Sequence, residues 1–243
     1  MTGRRGPLQR YLPFHAEMLY DFSESVEVDR IYAVLDSILS AFHCSKMQAR
    51  VVLSDTFVRY FIVTLAPGSR GTAERRAVAD RKFELLYAAD TSGWQVDALW
   101  HSSKPYLAYA VPNGIIGGVT QAAKRHHLKL RSVVPSFIGS WNEWSSGMTD
   151  HAWFCNVIDQ TLCLAIVANK HLHSVVTTAI PAEASCEWFR LHLEQGASRL
   201  NLPFPRTYSF VVMCRRAGSS RRRATRFLPT RTQRGGRNSH ESS

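Results

Sequence analysis

Residues 49–65 (ARVVLSDTFVRYFIVTL) constrain the fold more than any other stretch of the chain. Two runs in it, 50–53 and 57–65, are rich in β-branched and aromatic residues, which fit pleated strands. Ser54, Asp55 and Thr56 lie between the runs, and Ser and Asp side chains accept hydrogen bonds from nearby backbone amides, as is typical of turns. The stretch therefore predicts two strands joined as a hairpin by a tight turn. The second strand is apolar at nearly every position, which indicates that both of its faces are covered.

Length and composition limit the class of protein. The chain has 243 residues, enough for one large domain or two small ones. No apolar run reaches the ~18–20 residues that span a bilayer, and the basic N-terminus lacks the apolar segment of a signal peptide. The five cysteines form no CxxC pair, which predicts buried thiols in a reducing compartment instead of disulfides or a zinc site. We therefore expect a soluble cytoplasmic protein.

Most of the positive charge lies at the C-terminal end. Residues 215–243 hold nine arginines and one acid, a net of +8 out of the formal +11, which leaves +3 for residues 1–214. The segment has few apolar residues to bury, so it predicts a disordered basic tail. Arginine-rich segments can also bind nucleic acid through phosphate contacts, and nucleic-acid binding through residues 215–243 stays open as an alternative.

Apolar periodicity predicts helices and strands in alternation after an irregular start. In residues 26–148 the predicted helices are 26–43, 72–89 and one from 113 that ends at 124–127, the further strands are 94–100, 105–111 and 128–133, and 135–148 is a short helix and loop. We expect Ser25, Thr72 and Asn113 to cap the helices. Leu86 is predicted to face the core beside Phe83.

A second unit follows. Residues 152–157, 161–168 and 171–178 predict three strands with short turns, which favours an antiparallel meander. A helix over 182–200, with Cys186 facing inward, and a strand at 208–214 complete the order β-β-β-α-β, which is the order of ribonuclease-H-like and actin-like domains. We divide the chain into a loosely ordered lead-in (1–25), a first α/β half (26–148), a second half (149–214) and the tail (215–243).

Several phrases resemble a family of cytoplasmic assembly proteins. They are VVLSDTFVRYFIV, the strand at 94–100, LKLRSVVPSF, and WNEW followed by AWFCNVIDQTLCLAIV. In order and apolar pattern, residues 26–178 are similar to the actin-like assembly protein of type IV pili (PilM) and to the cytoplasmic part of the L protein of type II secretion (GspL). The resemblance implies an α/β fold of mixed sheets with two packed actin-like or ribonuclease-H-like halves, the second incomplete. It also implies a non-enzymatic scaffold or adaptor at the inner membrane, which docks a membrane partner or an assembly ATPase.

The resemblance also singles out two turns. Active actin-like ATPases place a glycine-rich turn with an acidic residue between the first two strands of each half, because glycine lets backbone amides approach phosphate closely. The corresponding turns here, 54–56 and 159–161, contain no glycine. We therefore expect no ATP turnover, no cofactor and no small-molecule substrate, with residual nucleotide binding as an alternative. The degenerate nucleotide-loop positions are Asp55, Thr56, Asp159 and Thr161.

Other candidate positions are weighed against structural roles. Trp141 and Trp144 share a helix face, which predicts either a core pair or a partner-binding platform. Arg59 is predicted to pair with a local carboxylate or to contact an anion. The dipeptide 126–127 holds two histidines, which we expect to be solvated at a helix end, since adjacent helical residues point about 100° apart and cannot share one metal.

Two metal-dependent alternatives complete the set. His171 and His173 lie on one strand face and form a possible two-ligand arm without an evident third ligand. A ribonuclease-H-like nuclease would need several carboxylates converging on divalent metals. The carboxylates available for such a site are Asp55, Asp97, Asp150 and Asp159.

Overall fold

The computed structural model describes residues 28–42, 44–65, 71–98, 100, 105–148, 151–158, 160–168, 171–199, 208–213 and 223–227. In chain order its elements are α1 (Val28–Ser40), β1 (Gln48–Leu53), β2 (Arg59–Val63), α2 (Thr72–Tyr87), β3 (Trp94–Ala98), β4 (Tyr106–Pro112), α3 (Asn113–Arg125), β5 (Lys129–Pro135), α4 (Ser136–Trp144), β6 (His151–Ile158), β7 (Thr161–Ala168), β8 (His171–Ala179), α5 (Cys186–Arg199), β9 (Tyr208–Met213) and β10 (Arg223–Phe227). The mixed α/β class and the predicted element order from α1 to β9 are confirmed. The lead-in at 1–25, with the predicted cap Ser25, lies outside the described residues.

The predicted pair of strands forms, but the two strands are not a hairpin. β1 pairs in parallel with β5, and β2 pairs antiparallel with β4. A 3-10 turn, Asp55–Phe57, connects β1 to β2. Tight hairpin turns favour residues with positive φ, chiefly glycine, and this turn has none. It bends toward the interior instead, where the Asp55 side chain is buried.

The first half contains a three-stranded antiparallel sheet of order β2-β4-β3, covered by α2. Ala79 and Phe83 of α2 are fully buried against this sheet. Leu86, predicted to face inward, is 55% exposed. Burial follows the i, i+4 line from Ala79 through Phe83 to Tyr87, and Leu86 lies outside that line.

Two predicted helix caps take other roles. Gly71 occupies the N-cap position of α2, so Thr72 is the first helical residue and not the cap. Pro112 likewise precedes α3, and Asn113 begins that helix. The Asn113 side-chain amide donates to the carbonyl of Ser92, 2.8 Å away, and so connects α3 to the turn before β3.

The four strands of the second half form, together with β10, a five-stranded sheet of order β10-β9-β6-β7-β8. β6, β7 and β8 form the predicted antiparallel meander, and β9 runs parallel to β6. In α5 the buried line runs from Phe189 to Leu193 and Ala197. Cys186, predicted to face inward, is exposed because α5 begins at that residue, before the buried line.

The structure differs from the predicted tail at one strand. Residues 223–227 form β10 and pair antiparallel with β9, from Arg223 opposite Val212 to Phe227 opposite Tyr208. A strand added to a sheet edge needs only backbone partners, so it does not require the buried apolar residues that the tail lacks. The remaining residues of 215–243 lie outside the described part of the chain.

One core joins the two halves. Ile31 of α1, Tyr60 of β2 and Phe137 of α4 belong to the same buried cluster as Phe154 of β6 and Cys163 of β7. Burial of apolar surface is the main favourable term in folding, so each half completes the core of the other. None of the helices in the described ranges is long and apolar enough to cross a membrane.

Candidate functional site

Asp55 lies where the two halves meet. Its side chain is 1% exposed, and its carboxylate accepts three hydrogen bonds. Oδ1 accepts from the Tyr60 hydroxyl at 2.7 Å and from the backbone N–H of Phe137 at 2.9 Å. Oδ2 accepts from the Asn156 side-chain amide at 2.9 Å. Asp55 therefore connects the β1–β2 turn to β2, to the first turn of α4 and to β6.

The contact with Phe137 is a helix cap supplied from a distant turn. Pro135 occupies the N-cap position of α4 and makes no side-chain cap, since proline carries no hydrogen-bonding side chain. The Asp55 carboxylate satisfies one of the free N–H groups at the start of this helix and also complements the positive end of the helix dipole. The sequence folds this way because a buried helix start needs an acceptor.

Asn156 of β6 extends the network to two hydroxyl groups of α4. It is 0% exposed, and its amide lies 3.3 Å from the hydroxyl oxygen of Ser136. The Ser140 hydroxyl donates to the Asn156 amide oxygen at 3.2 Å. These buried polar groups have partners, which is the condition for a buried polar network to stabilise a fold.

Burial dominates the electrostatics of the network. Removal from water raises the pKa of Asp55, while the hydrogen bonds from Phe137, Tyr60 and Asn156 lower it, and the net direction is upward. Burial, together with the nearby Asp55, raises the pKa of the Tyr60 hydroxyl well above its usual range. Burial also raises the pKa of the Cys163 thiol, and Asp55 adds to that rise. Burial thus favours the neutral forms of the Tyr60 hydroxyl and the Cys163 thiol.

Of the other predicted nucleotide-loop positions, the structure describes Thr56 and Thr161. Thr56 is exposed, and its hydroxyl donates to Ser54 Oγ at 3.1 Å. Thr161 is buried at the start of β7, where it pairs with Ile158 and Ala179. Asp159 lies outside the described residues. As placed, the Asp55 carboxylate serves the protein's own donors, and the described residues hold no group of His, Cys, Asp or Glu side chains suited to a metal ion.

The two tryptophans of α4 separate into a core residue and a surface residue. Trp141 stacks on Phe137 with ring centroids 6.1 Å apart and an interplanar angle of 14°. It also meets Phe154 edge-on at 5.6 Å. Trp144 is 37% exposed. Trp141 therefore belongs to the core, and a partner-binding role stays a prediction for Trp144.

The remaining carboxylates and the arginine have local roles. Asp97 accepts from the hydroxyl of Tyr109 and from the indole of Trp100, both at 3.1 Å. Asp150, a further carboxylate of the nuclease hypothesis, lies outside the described residues. Arg59 is exposed, and its guanidinium lies over the Trp94 ring, 5.9 Å from the centroid. Within the described ranges, the structure shows this cation–π contact for Arg59 and no ion pair with a carboxylate.

The candidate histidines have different surroundings in the structure. His126 Nε2 lies 2.8 Å from Asp36 Oδ1 of α1, so the prediction of helix-end solvation is wrong for this residue. It connects α3 to α1 because the two helices pack side by side. His127 is exposed, in a left-handed backbone conformation with φ 53°. His173 is exposed on β8, and the side chain of His171 is not among those described.

Sequence reasoning missed Tyr60, Ser136, Ser140 and Asn156. Asn156 was visible as one polar residue in the otherwise apolar phrase AWFCNVI. A polar residue at the centre of a buried strand needs a polar partner, but spacing alone does not identify that partner 101 positions away.

Comparison with known proteins gives likeness in structure only. No family model matches the sequence, and no curated protein matches it. The structure is similar to the cytoplasmic domain of EpsL, an inner membrane component of the type II secretion system of Vibrio cholerae. The TM-score is 0.51 with 10% identity, and the match covers 76% of this chain and 69% of the EpsL chain.

Two further solved structures are similar. One is a protein of actin-like ATPase fold and unknown function from Bacteroides thetaiotaomicron, with TM-score 0.50, 7% identity, and coverage of 77% of this chain and 68% of that one. A PilM-PilN type IV pilus biogenesis complex gives TM-score 0.45, 12% identity, and coverage of 72% and 53%. At that TM-score we draw no conclusion from it. The EpsL domain and the Bacteroides thetaiotaomicron protein confirm the actin-like fold that the sequence resemblance implied.

Proposed function

We propose that this protein is a non-enzymatic scaffold of a secretion-type or pilus-type assembly, which docks an inner-membrane component at the cytoplasmic face. The observation that carries the proposal is that Asp55 is hydrogen-bonded within the protein. An acidic side chain in the turn between the first two strands serves three protein donors and is buried.

The chemistry of Asp55 supports a structural role over nucleotide binding. A carboxylate that holds Mg²⁺ or orients water must present an oxygen to the ligand. Both oxygens of Asp55 already accept hydrogen bonds from the protein. Withdrawing the carboxylate would leave the Phe137 N–H and the Asn156 amide buried without an acceptor, which is unfavourable by about 1–3 kcal/mol for each group.

The assembly role is supported by the fold. EpsL is an inner membrane component of a type II secretion system, and its cytoplasmic domain has the fold described above. Fold alone does not fix function, so the proposal extends this likeness to a role. Trp144, exposed on α4 next to the buried network, supplies an aromatic side chain of the kind that is enriched in protein interfaces.

Nucleotide binding is tested by calorimetry. The full chain, shown to be folded by circular dichroism, is titrated with Mg-ATP. We expect no binding tighter than ~1 mM. Saturable binding at micromolar affinity would overturn the non-enzymatic part of the proposal and return a nucleotide switch to consideration.

Partner docking is tested by site-specific photo-crosslinking in the native cell. A photoreactive phenylalanine analogue replaces Trp144 in one variant and Leu191 in the control. Leu191 is a suitable control because it is also apolar and 44% exposed but lies on α5. We expect position 144, and not position 191, to yield an adduct with an inner-membrane protein. The same adducts at both positions, or none with a membrane protein, would contradict the proposal.

A further inference from the structure

Two turns bring a group of cations together at one end of the β1–β5 sheet. Both strands are parallel, so their N-terminal ends lie side by side, with Gln48 opposite Lys129. The Lys46 N–H donates to the carbonyl of His127 at 2.9 Å, and the Lys129 N–H donates to the carbonyl of Met47 at 2.8 Å. These backbone bonds fix the α1–β1 turn against the α3–β5 turn.

The two turns and the adjoining ends of α3 and β5 present cations and exposed apolar side chains together. We call the group the basic end. Phe42 is 48% exposed and Met47 is 43% exposed, and the four cations of the group are exposed. The basic end consists of Phe42, Lys46, Met47, Lys124, Arg125 and Lys129.

No carboxylate offsets this charge nearby in the chain. The sequence contains no Asp or Glu from 37 to 54 or from 98 to 142. Within the described part of the chain, none of the four cations forms an ion pair, and the carboxylate of Asp36 on α1 contacts His126. Lys124 and Arg125 complement the C-terminal end of the α3 dipole, but Lys46 and Lys129 have no such role.

One face of the adjoining β1–β5 sheet also exposes arginine and apolar side chains. Val51 and Leu130 pack against the core. The opposite face of β1 and β5 is exposed at Gln48, Arg50 and Val52, and Val52 is 53% exposed. A register shift between Ala49 and Arg50 leaves Arg131 as an extra residue of β5, also exposed. Parallel sheets are usually covered on both faces, so this face is unusual.

We infer that the basic end docks on an anionic lipid bilayer. Cations attract the negative surface of the membrane, and exposed Phe and Met side chains insert at the boundary of headgroups and acyl chains. The apolar pair favours a bilayer over nucleic acid, because phosphate contacts alone would leave Phe42 and Met47 exposed to water. The inference deepens the proposed function, since it names the surface through which the scaffold would meet the membrane.

Vesicle co-sedimentation of the full chain tests the inference. The vesicles are 30% phosphatidylglycerol in phosphatidylethanolamine, with neutral phosphatidylcholine vesicles for comparison. We expect binding to the anionic vesicles only. Lys46→Glu with Lys129→Glu should weaken it by at least ~25-fold, because each of the two lysines near the surface is worth about fivefold. Phe42→Ser with Met47→Ser should weaken it by about tenfold at constant charge.

Lys82→Glu with Arg199→Glu is the matched control, because it makes the same change in net charge on α2 and α5. We expect it to bind within about twofold of the natural chain, since its sites lie away from the basic end. Melting curves confirm that each variant is folded. Equal loss in both charge variants would assign binding to net charge and overturn the inference.

Two further outcomes would also overturn it. One is unchanged binding by the Lys46 and Lys129 variant, which would assign binding to another part of the chain, such as the arginines of residues 215–243. The other is no vesicle binding, with capture of duplex DNA or of a polyglutamate peptide instead. The assay contains no protein partner, so its failure leaves the crosslinking test of the proposed function intact, and the reverse also holds.

Discussion

At the scale of single residues, Asp55 determines how three elements meet. One oxygen serves Tyr60 and the N–H of Phe137, and the other serves Asn156. Each hydrogen bond needs one donor and one acceptor, so replacing a buried acceptor by a donor leaves two donors facing each other. The network can therefore be tested by exchanging the side chains of Asp55 and Asn156.

Asp55→Asn should lower the free energy of unfolding by about 1–3 kcal/mol. The new amide can keep the contacts of Oδ1 but opposes the Asn156 amide at the position of Oδ2. Adding Asn156→Asp restores a donor–acceptor pair, so the double variant should be more stable than Asp55→Asn alone. Urea unfolding of the full chain measures both.

Thr56→Ala is the control for this exchange, because Thr56 is exposed in the same turn. We expect it to change stability by less than about 0.5 kcal/mol. A double variant that is as unstable as the sum of the two single variants would contradict the geometry of the network.

The raised pKa of Asp55 also predicts a pH dependence. Because the folded-state pKa lies above the unfolded value, the folded state binds more protons between the two. The stability that this extra proton binding contributes is therefore present below about pH 4 and is lost as the pH rises through the folded-state pKa. Asp55→Asn lacks this term, so its stability relative to the natural chain should improve as the pH rises from 4 to 7. A difference that does not vary with pH would show that the pKa is not raised.

At the scale of elements, α2 shows how packing selects among apolar residues. Phe83, on the face of α2 that packs on the sheet, is 0% exposed, whereas Leu86, three residues later in the same helix, is 55% exposed. Both are apolar, and periodicity alone placed both inward. The buried surface of α2 is narrower than the apolar stripe of the sequence, because Leu86 lies off the i, i+4 line that packs on the sheet.

Phe83→Ala should lower the free energy of unfolding by about 3–5 kcal/mol, since it removes a buried ring and leaves a cavity. Leu86→Ala should change it by less than about 0.5 kcal/mol because the side chain is already in water. Thermal and urea unfolding of the two variants measure the difference. Similar losses would mean that Leu86 is buried in solution, as the sequence predicted.

The element order could be predicted from sequence, but strand pairing could not. Alternating and apolar runs placed β1 and β2 correctly, since periodicity is a local property. Their partners, β5 and β4, are set by long-range packing. The candidate site divides in the same way. The resemblance to actin-like ATPases singled out Asp55 from the sequence, while the contacts of Asn156 and Ser136 depend on how the halves pack.

At the scale of the whole molecule, the halves share one core, so neither should be stable when the other is disrupted. Phe154 of β6 is 0% exposed and meets Phe137 edge-on at 5.6 Å, and Phe137 in turn meets Tyr60 at 5.3 Å. A chain of aromatic contacts therefore runs from the second half into the first. Because domains with a common core unfold cooperatively, we expect one unfolding transition for both halves.

Phe154→Ala tests this coupling, with an expected loss of about 3–5 kcal/mol. Hydrogen exchange is followed in peptides from β2, in the first half, and from β7, in the second. If the halves unfold together, the variant should reduce protection in both peptides by the same free energy. Gly139→Ala serves as the control, because a methyl group there meets no atom within 4 Å and should leave both peptides protected. Loss of protection in β7 with β2 unchanged would show that the first half is stable without its partner, and the shared core would then describe contact without cooperativity.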